Sequence, residues 1–300
     1  MTRCGFIAVI GRPNVGKSTL VNAIIGEKVS ITSGTPNTTR HAIRGILTRE
    51  DVQMVFIDTP GLHRATSTLG HRLNSTARSS VSGVDVVMGM IDATGAIGPG
   101  DKMTISNLLQ ACGEHGAVPL LIVNKADRAG REGTAAQLLA AADAVNEIAA
   151  EMNAQGAAAR VEYIPTSATK NHNVDHLVDF VDKLMPEGPW FFPEDEVTDV
   201  PEAMYIAELV REQLFRAMRQ ELPHSIHCRV SEYEWPHITV EILVERESQK
   251  GMVIGAGGRN LKDVGIKVRQ QMPSGVFLEL IVKVEPKWQS REDVLDRFGY

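Results

Sequence analysis

Lys17 and Ser18 close the octapeptide GRPNVGKS, Gly11 to Ser18, a fit to G-x-x-x-x-G-K-S. A short apolar run, GFIAVI, leads into it and a helix-like stretch, KSTLVNAIIG, follows. Glycines in such a loop let backbone N–H groups converge on phosphate oxygens at the positive end of the helix. Lys17 is placed to neutralise β- and γ-phosphate charge, and the Ser18 hydroxyl to complete a magnesium shell. The bland alternative is an ordinary strand-turn-helix.

The choice between ATP and GTP rests on other residues. The tetrapeptide NKAD, Asn124 to Asp127, stands at the end of the run PLLIV, where open α/β sheets bind ligands. The Asp127 carboxylate could accept two hydrogen bonds from guanine N1–H and its N2 amino group. Adenine offers neither, and a buried acceptor left unpaired rejects the wrong base by roughly 10⁴ or more. Lys125 can lay its stem on the purine, and TSAT at 166–169 can offer backbone donors to the guanine O6. DTPG, Asp58 to Gly61, follows the run VQMVFI; Asp58 could hold magnesium through a water and the Gly61 N–H could meet the γ-phosphate. In NTTR, Asn37 to Arg40, one threonine could close the magnesium shell only when a γ-phosphate is present. Thr39 is preferred to Thr38 for this role. The metal set is thus Ser18, Thr39 and Asp58, and the groups acting on the γ-phosphate are Lys17, Thr39 and Gly61. Leu62 occupies the position where many such enzymes keep a water-orienting glutamine. Unaided hydrolysis should therefore be slow. His63 reads as a neutral surface histidine, and Asn14 is a candidate ligand for an extra monovalent cation, K⁺, near the phosphates.

A second glycine loop, GMVIGAGGRNLKDVG, spans Gly251 to Gly265. Gly255, Ala256, Gly257 and Gly258 make G-x-x-G. A dinucleotide fingerprint would need glycine or alanine where Asn260 stands. Alone, G-x-x-G is a weak signal, better explained by a tight structural turn.

These loops need elements to hold them. From Gly5 to about Met185, buried-type runs (GFIAVI, AIRGILT, VQMVFID, VDVVMGMID, AVPLLIVN, RVEYIP) alternate with helix-length stretches such as 101–112 and 134–153. That alternation predicts an α/β domain, doubly wound around a mostly parallel sheet, over 1–185. Residues 186–201 carry four prolines and five acids, as in a stiff linker. Residues 202–300 read as α-β-β-α-β: an amphipathic helix over 202–220 with Ile206, Leu209, Val210, Leu214 and Ala217 on one side, then strands in which Ile238, Val240, Ile242 and Val244 face away from Thr239, Glu241 and Glu245. The second loop precedes the last helix of this small α+β unit, the position of a KH-type clamp on single-stranded RNA. Around it Lys250, Arg259, Lys262, Lys267 and Arg269 face one acid, Asp263. A positive island on a chain of 31 basic and 37 acidic residues, net −6, suits phosphate contacts. The expected RNA clamp is Lys250, Gly255, Ala256, Gly257, Gly258, Arg259 and Lys262.

Cys4, Cys112 and Cys228 form neither a zinc pattern nor a disulfide framework, and the apolar start is too short for a membrane span. A cytoplasmic protein is expected. The rivals are a GTPase whose C-terminal domain binds protein or membrane, and a metabolic nucleotide-consuming enzyme.

Through CGFIAVIGRPNVGKSTL, NTTRH, DTPGLH, NKAD, SAT, FPEDEVTD, ERESQKGMVIGAGGRNLK and VKVEPKW…FGY, the chain resembles the Era family of bacterial GTPases along nearly its whole length. The resemblance implies a P-loop GTPase domain, a type II KH domain, slow GTP hydrolysis with Mg²⁺, and recognition of the 3′ end of 16S rRNA during 30S assembly. It implies nucleotide contacts at Asn14, Val15, Gly16, Lys17, Ser18, Thr19, Asp58, Gly61, Asn124, Lys125, Asp127, Ser167 and Ala168. Some members also associate peripherally with the inner face of the cell membrane. A monomer is expected.

Overall fold

The computed structural model describes residues 1–65, 67–218 and 222–300. The chain divides into two compact units. The first holds 1–30, 39–66 and 70–199; the second holds 31–38, 67–69 and 200–300.

In the first unit the apolar runs become β1 (Arg3–Gly11), β2 (Ile43–Arg49), β3 (Val52–Asp58), β4 (Val86–Asp92), β5 (Val118–Asn124) and β6 (Glu162–Thr166). They form one sheet in the order β2-β3-β1-β4-β5-β6. Only β2, paired to β3 through seven residues, runs antiparallel. The helices are α1 (Lys17–Ile25), α2 (Thr68–Ser79, in this unit from Gly70), α3 (Pro99–His115), α4 (Ala126–Met152), α5 (Gln155–Ala158) and α6 (Val174–Asp182). Alternate β1 residues enter opposite cores: Ile7 and Val9 pack with α1 and α6, whereas Ala8 and Ile10 pack with α3 and α4. Burial on both faces is why these strands read as continuous apolar runs rather than alternating ones. Every loop that follows a parallel strand therefore opens on the same carboxyl edge, which brings distant motifs together.

The proline-rich stretch does not hang free. Gln53 Oε1 accepts from the Phe191 and Phe192 N–H groups at 3.0 Å, and its Nε2 donates to Phe192 O at 2.9 Å. Farther on, Ile46 N donates to Val197 O at 2.8 Å. Backbone groups that composition assigns to solvent are thus satisfied on the first unit.

The second unit contains α7 (Glu202–Ala217), β7 (His227–Glu234), β8 (His237–Val244), α8 (Glu247–Ile254), α9 (Arg259–Arg269), β9 (Phe277–Val284) and α10 (Glu292–Arg297). Its sheet order is β7-β8-β9, antiparallel then parallel. Two expectations need correction. The α-β-β-α-β reading lacks a helix: α8 precedes the second loop, where Gln249 Oε1 caps the Glu245 and Arg246 N–H groups at 2.9 and 3.1 Å. On the β8 face away from Ile238, Val240, Ile242 and Val244, Glu241 is buried and ion-paired to Arg229 at 2.7 Å and to Lys283. Ala217 is exposed at the end of α7, and the last residues of the expected 202–220 helix, 219 and 220, lie outside the described residues.

Candidate nucleotide site and nucleic-acid interface

Gly16 caps α1 at φ 104°, and Asn14 adopts φ 62°. These left-handed turns fold the loop back between β1 and α1, aiming its N–H groups into one hollow. Lys17 is 6% exposed, and its Nζ donates to Gly11 O at 3.0 Å and Arg12 O at 3.2 Å. Burial draws its ammonium down to about 8, with the Asp58 carboxylate opposing the drop and Arg12 adding to it. A bound phosphate would supply the negative charge that this buried amine lacks.

The residues expected to surround a magnesium ion are close together. Ser18 Oγ lies 2.9 Å from Thr39 Oγ1, which donates to Asp58 Oδ2 at 3.4 Å. Asp58 is fully buried, and burial raises its carboxyl while Lys17 opposes the rise. Its Oδ1 has no hydrogen-bond partner among the described residues. An orphaned buried carboxylate oxygen beside two hydroxyls is an oxygen donor set that fits a hard divalent cation. Thr38 points elsewhere: its hydroxyl lies 2.6 Å from Ser33 Oγ and donates to Thr35 O at 2.7 Å.

Gly61 approaches the phosphate loop so closely that an added Cβ would sit 2.8 Å from Pro13 N and 2.9 Å from its Cα. The next residue, Leu62, is 1% exposed, packs in the core under α3 and α4, and donates its N–H to Gly11 O at 3.0 Å. It has no polar atom to orient water.

On the base side, Asn124 is structural. Its Nδ2 donates to Val15 O at 2.9 Å, while its Oδ1 accepts from Thr166 Oγ1 and the Ala168 N–H, both at 3.2 Å. One amide thus ties the phosphate loop to the two strand ends that would read the base. Lys125, at φ 69°, reaches back with Nζ to Asn14 O at 2.8 Å and to Asp92 Oδ2 at 2.7 Å. Asp127 is exposed, and Ser167 Oγ donates to its Oδ1 at 2.6 Å, which orients the carboxylate while leaving acceptor capacity for a ligand. Thr19 lies in the first turn of α1.

Asp92 escaped the sequence reading; it holds Lys125, while Thr166, read only as part of TSAT, holds Asn124 through its side chain. Burial raises the Asp92 carboxyl, but hydrogen bonds from Lys125 and Thr94 outweigh it and leave the group lowered. The available signal was position: Asp92 ends β4 directly beside Asn124 at the end of β5.

The second loop lies in the other unit. Gly255, Gly257 and Gly258 have φ of 74°, 60° and 78°, so three of its four residues use backbone that L side chains rarely adopt. A Cβ on Gly255 would meet Asn260 at 2.7 Å, and Asn260 Nδ2 donates to Met252 O at 2.9 Å. The asparagine that spoils a dinucleotide fingerprint therefore pins α8 to α9 across the loop. Ala256, Gly257, Arg259 and Lys262 are exposed, and Lys250 is half-buried. Val264 and Val268 bury one face of α9, while Arg259, Lys262 and Arg269 follow one another along another. A flat, side-chain-poor loop opening into a basic helix can take a phosphodiester backbone at close range.

Comparison with known proteins agrees with this division of labour. The family described as "50S ribosome-binding GTPase" matches residues 6–125, and a KH domain matches residues 221–289. A GTPase Era of Streptomyces coelicolor is 42% identical over 99% of this chain and 95% of its own length. A GTPase Era of Mycobacterium tuberculosis is 41% identical over 99% and 98%. Among solved structures, Era in complex with MgGDPNP and nucleotides 1506–1542 of 16S ribosomal RNA matches with TM-score 0.88 and 35% identity, covering 100% of this chain and 99% of that one. A point variant of Aquifex aeolicus Era bound to GDP·AlF4⁻ matches at 0.86 with the same identity and coverage.

Proposed function

The chain belongs to the Era family of GTPases, and on that premise we propose that it is a GTP-gated clamp on the 3′ end of 16S rRNA that assists 30S subunit assembly. The observation that carries this reading is one chain holding both a magnesium-type cluster of Ser18, Thr39 and Asp58 and a left-handed glycine loop at the foot of a basic helix.

In this reading the phosphate loop from Asn14 to Thr19 cradles the phosphates. Lys17 faces the β- and γ-phosphates, and the Gly61 N–H meets the γ-phosphate. Ser18 and Thr39, with Asp58 through a water, would hold a magnesium ion, which would supply positive charge against the phosphates. Lys125, Asp127, Ser167 and Ala168 recognise guanine, and Asn124 contributes to the nucleotide site by bracing the phosphate loop against them. Leu62 leaves the attacking water unoriented, so turnover is slow, and Asn14 is the residue that would hold a K⁺ ion, which would add positive charge near the phosphates.

The gate involves the residues before Thr39. Within the second unit, Arg211 Nη2 on α7 donates to Thr38 O at 2.6 Å, and Glu212 Oε1 accepts from the Thr32 N–H at 2.9 Å. Arg211 and Glu212 are buried, so these contacts are geometrically demanding. A γ-phosphate that fixes Thr39 restrains the neighbouring peptide, and RNA in turn favours one nucleotide state by reciprocity.

We assign 1–185 to the G domain, 186–201 to a connecting segment and 202–300 to the KH domain, acting as a monomer in the cytoplasm. Among the described residues no helix is long and apolar enough to cross a membrane; contact with the inner membrane face is a secondary location that vesicle sedimentation tests. The clamp itself is tested by replacing Ala256 and Gly257 with aspartate. RNA binding should vanish while GTP hydrolysis persists, and RNA affinity equal to the parent's would defeat the assignment.

A further inference from the structure

From Thr59 to Val84 the chain contains no aspartate or glutamate, yet it carries Arg64, Arg72, Arg78, His63 and His71. On a protein of net charge −6 this is a long run of basic character, and beyond Leu62 nothing in the GTP site described above uses it. The fold turns this stretch into a groove. Leu69, Leu73 and Ala77 on α2 are buried, at four-residue spacing. That leaves His71, Ser75 and Arg78, at spacings of four and three, on a common outward face. Opposite them runs the segment after Gly61, with His63 and Arg64. Together they line a cleft of about 740 Å³.

The cleft is built rather than incidental. Asn74 Nδ2 donates to His63 O at 2.7 Å and its Oδ1 accepts from the His63 N–H at 3.3 Å, so one side chain occupies both main-chain polar groups of the opposing wall. The His63 ring is fixed as well: Nδ1 lies 2.9 Å from Gly61 O. A carbonyl can only accept, so Nδ1 carries the proton. Arg64 and Arg78 are exposed, and neither has an ion-pair partner among the described residues. Guanidinium groups without carboxylates, in a cleft whose lining includes no acid, are matched by phosphate geometry.

We propose that this groove on the GTPase unit is a second RNA-binding site, taking a phosphodiester backbone separately from the glycine-loop clamp. The inference rests on the rRNA reading above. It deepens that reading by having the RNA touch the segment that begins at Gly61, through the bond from the His63 ring to Gly61 O. RNA seated there bears on the same loop that meets the γ-phosphate.

The test uses the full chain with Mg²⁺ and a non-hydrolysable GTP analogue, titrated at several salt concentrations with phosphatidylglycerol vesicles and with two RNA probes. One is a ten-nucleotide 16S 3′-end oligonucleotide, long enough for the clamp alone; the other is a transcript of the whole 16S 3′ domain. For Arg64→Glu/Arg78→Glu, losing two phosphate contacts should flatten the slope of log affinity against log salt by about 1.4 on the transcript. The short oligonucleotide should bind as to the parent, and Arg64→Lys/Arg78→Lys should keep the parent slope. Melting temperature shows whether each variant is folded. Equal slopes for the parent and the folded glutamate variant would overturn the proposal. So would a loss confined to phosphatidylglycerol vesicles, which would make the groove a lipid contact. Failure of the parent to bind the short oligonucleotide would count against the clamp instead, and the groove would still be read on the transcript.

Discussion

Replacing Gly16 with alanine tests whether the phosphate loop and the base-reading strand ends form one braced unit. Gly16 sits at φ 104°, where an L-residue is strained by about 1–2 kcal/mol. A Cβ there would also overlap Asn124 Nδ2, the atom that donates to Val15 O at 2.9 Å. Asn124 is 2% exposed, and its Oδ1 serves Thr166 and Ala168. Displacing the amide leaves those groups unpaired in the interior, at roughly 1–3 kcal/mol. Gly16→Ala should therefore destabilise the nucleotide-free protein by about 2–5 kcal/mol. Urea unfolding of Gly16→Ala, Asn124→Ala and the double variant separates the two contributions. In the Asn124→Ala background, Gly16→Ala should cost only the backbone strain, about 1–2 kcal/mol. Full additivity of the two substitutions would refute the brace.

Other outcomes follow from the same geometry. Thr39→Ala should weaken a GTP analogue in Mg²⁺ by roughly tenfold, about 1.4 kcal/mol, and spare GDP; Thr38→Ala should spare both, and calorimetric titrations that invert this pattern would exchange their roles. Leu62→Gln should lose roughly 1–3 kcal/mol by placing an amide in an apolar pocket, without raising the single-turnover rate. A tenfold faster rate would mean that residue 62 can reach the water after all. In the second unit, burial raises the Glu241 carboxyl, but Lys283 and Arg229 outweigh it and leave it lowered. A lowered carboxyl stabilises the fold above its unfolded value, about 4.3, and that stability fades as pH falls through the folded value. Glu241→Gln should flatten the acid limb of a melting-temperature profile, and an unchanged limb would assign the effect elsewhere.

What could be read from the chain alone follows the range of each interaction. The phosphate loop, NKAD and the six apolar runs are local patterns, so residue type and spacing suffice to place them. Thr39 rather than Thr38 could be argued only narrowly, because the difference lies in which hydroxyl turns toward Ser18 and Asp58. The brace made by Asn124 was invisible, since it joins residues 109 apart. The connecting segment misled for a related reason: prolines and acids describe an unpaired chain, whereas Gln53 and Ile46 supply its partners from 139 and 151 residues away. Helix α8 is absent from the α-β-β-α-β reading because its deciding feature, the cap by Gln249, is geometric rather than compositional. Asn260 was read only as a missing glycine, although its contact with Met252 O is what closes the second loop.

The central claim is that GTP gates RNA binding. It is tested most directly by titrating a labelled 16S 3′-end oligonucleotide against the full chain at several salt concentrations, with a non-hydrolysable GTP analogue, with GDP and without nucleotide. Tight, sequence-dependent binding favoured by the GTP analogue is the predicted result. Equal, weak binding in all three states would contradict it, leaving a GTPase whose C-terminal unit serves some other partner.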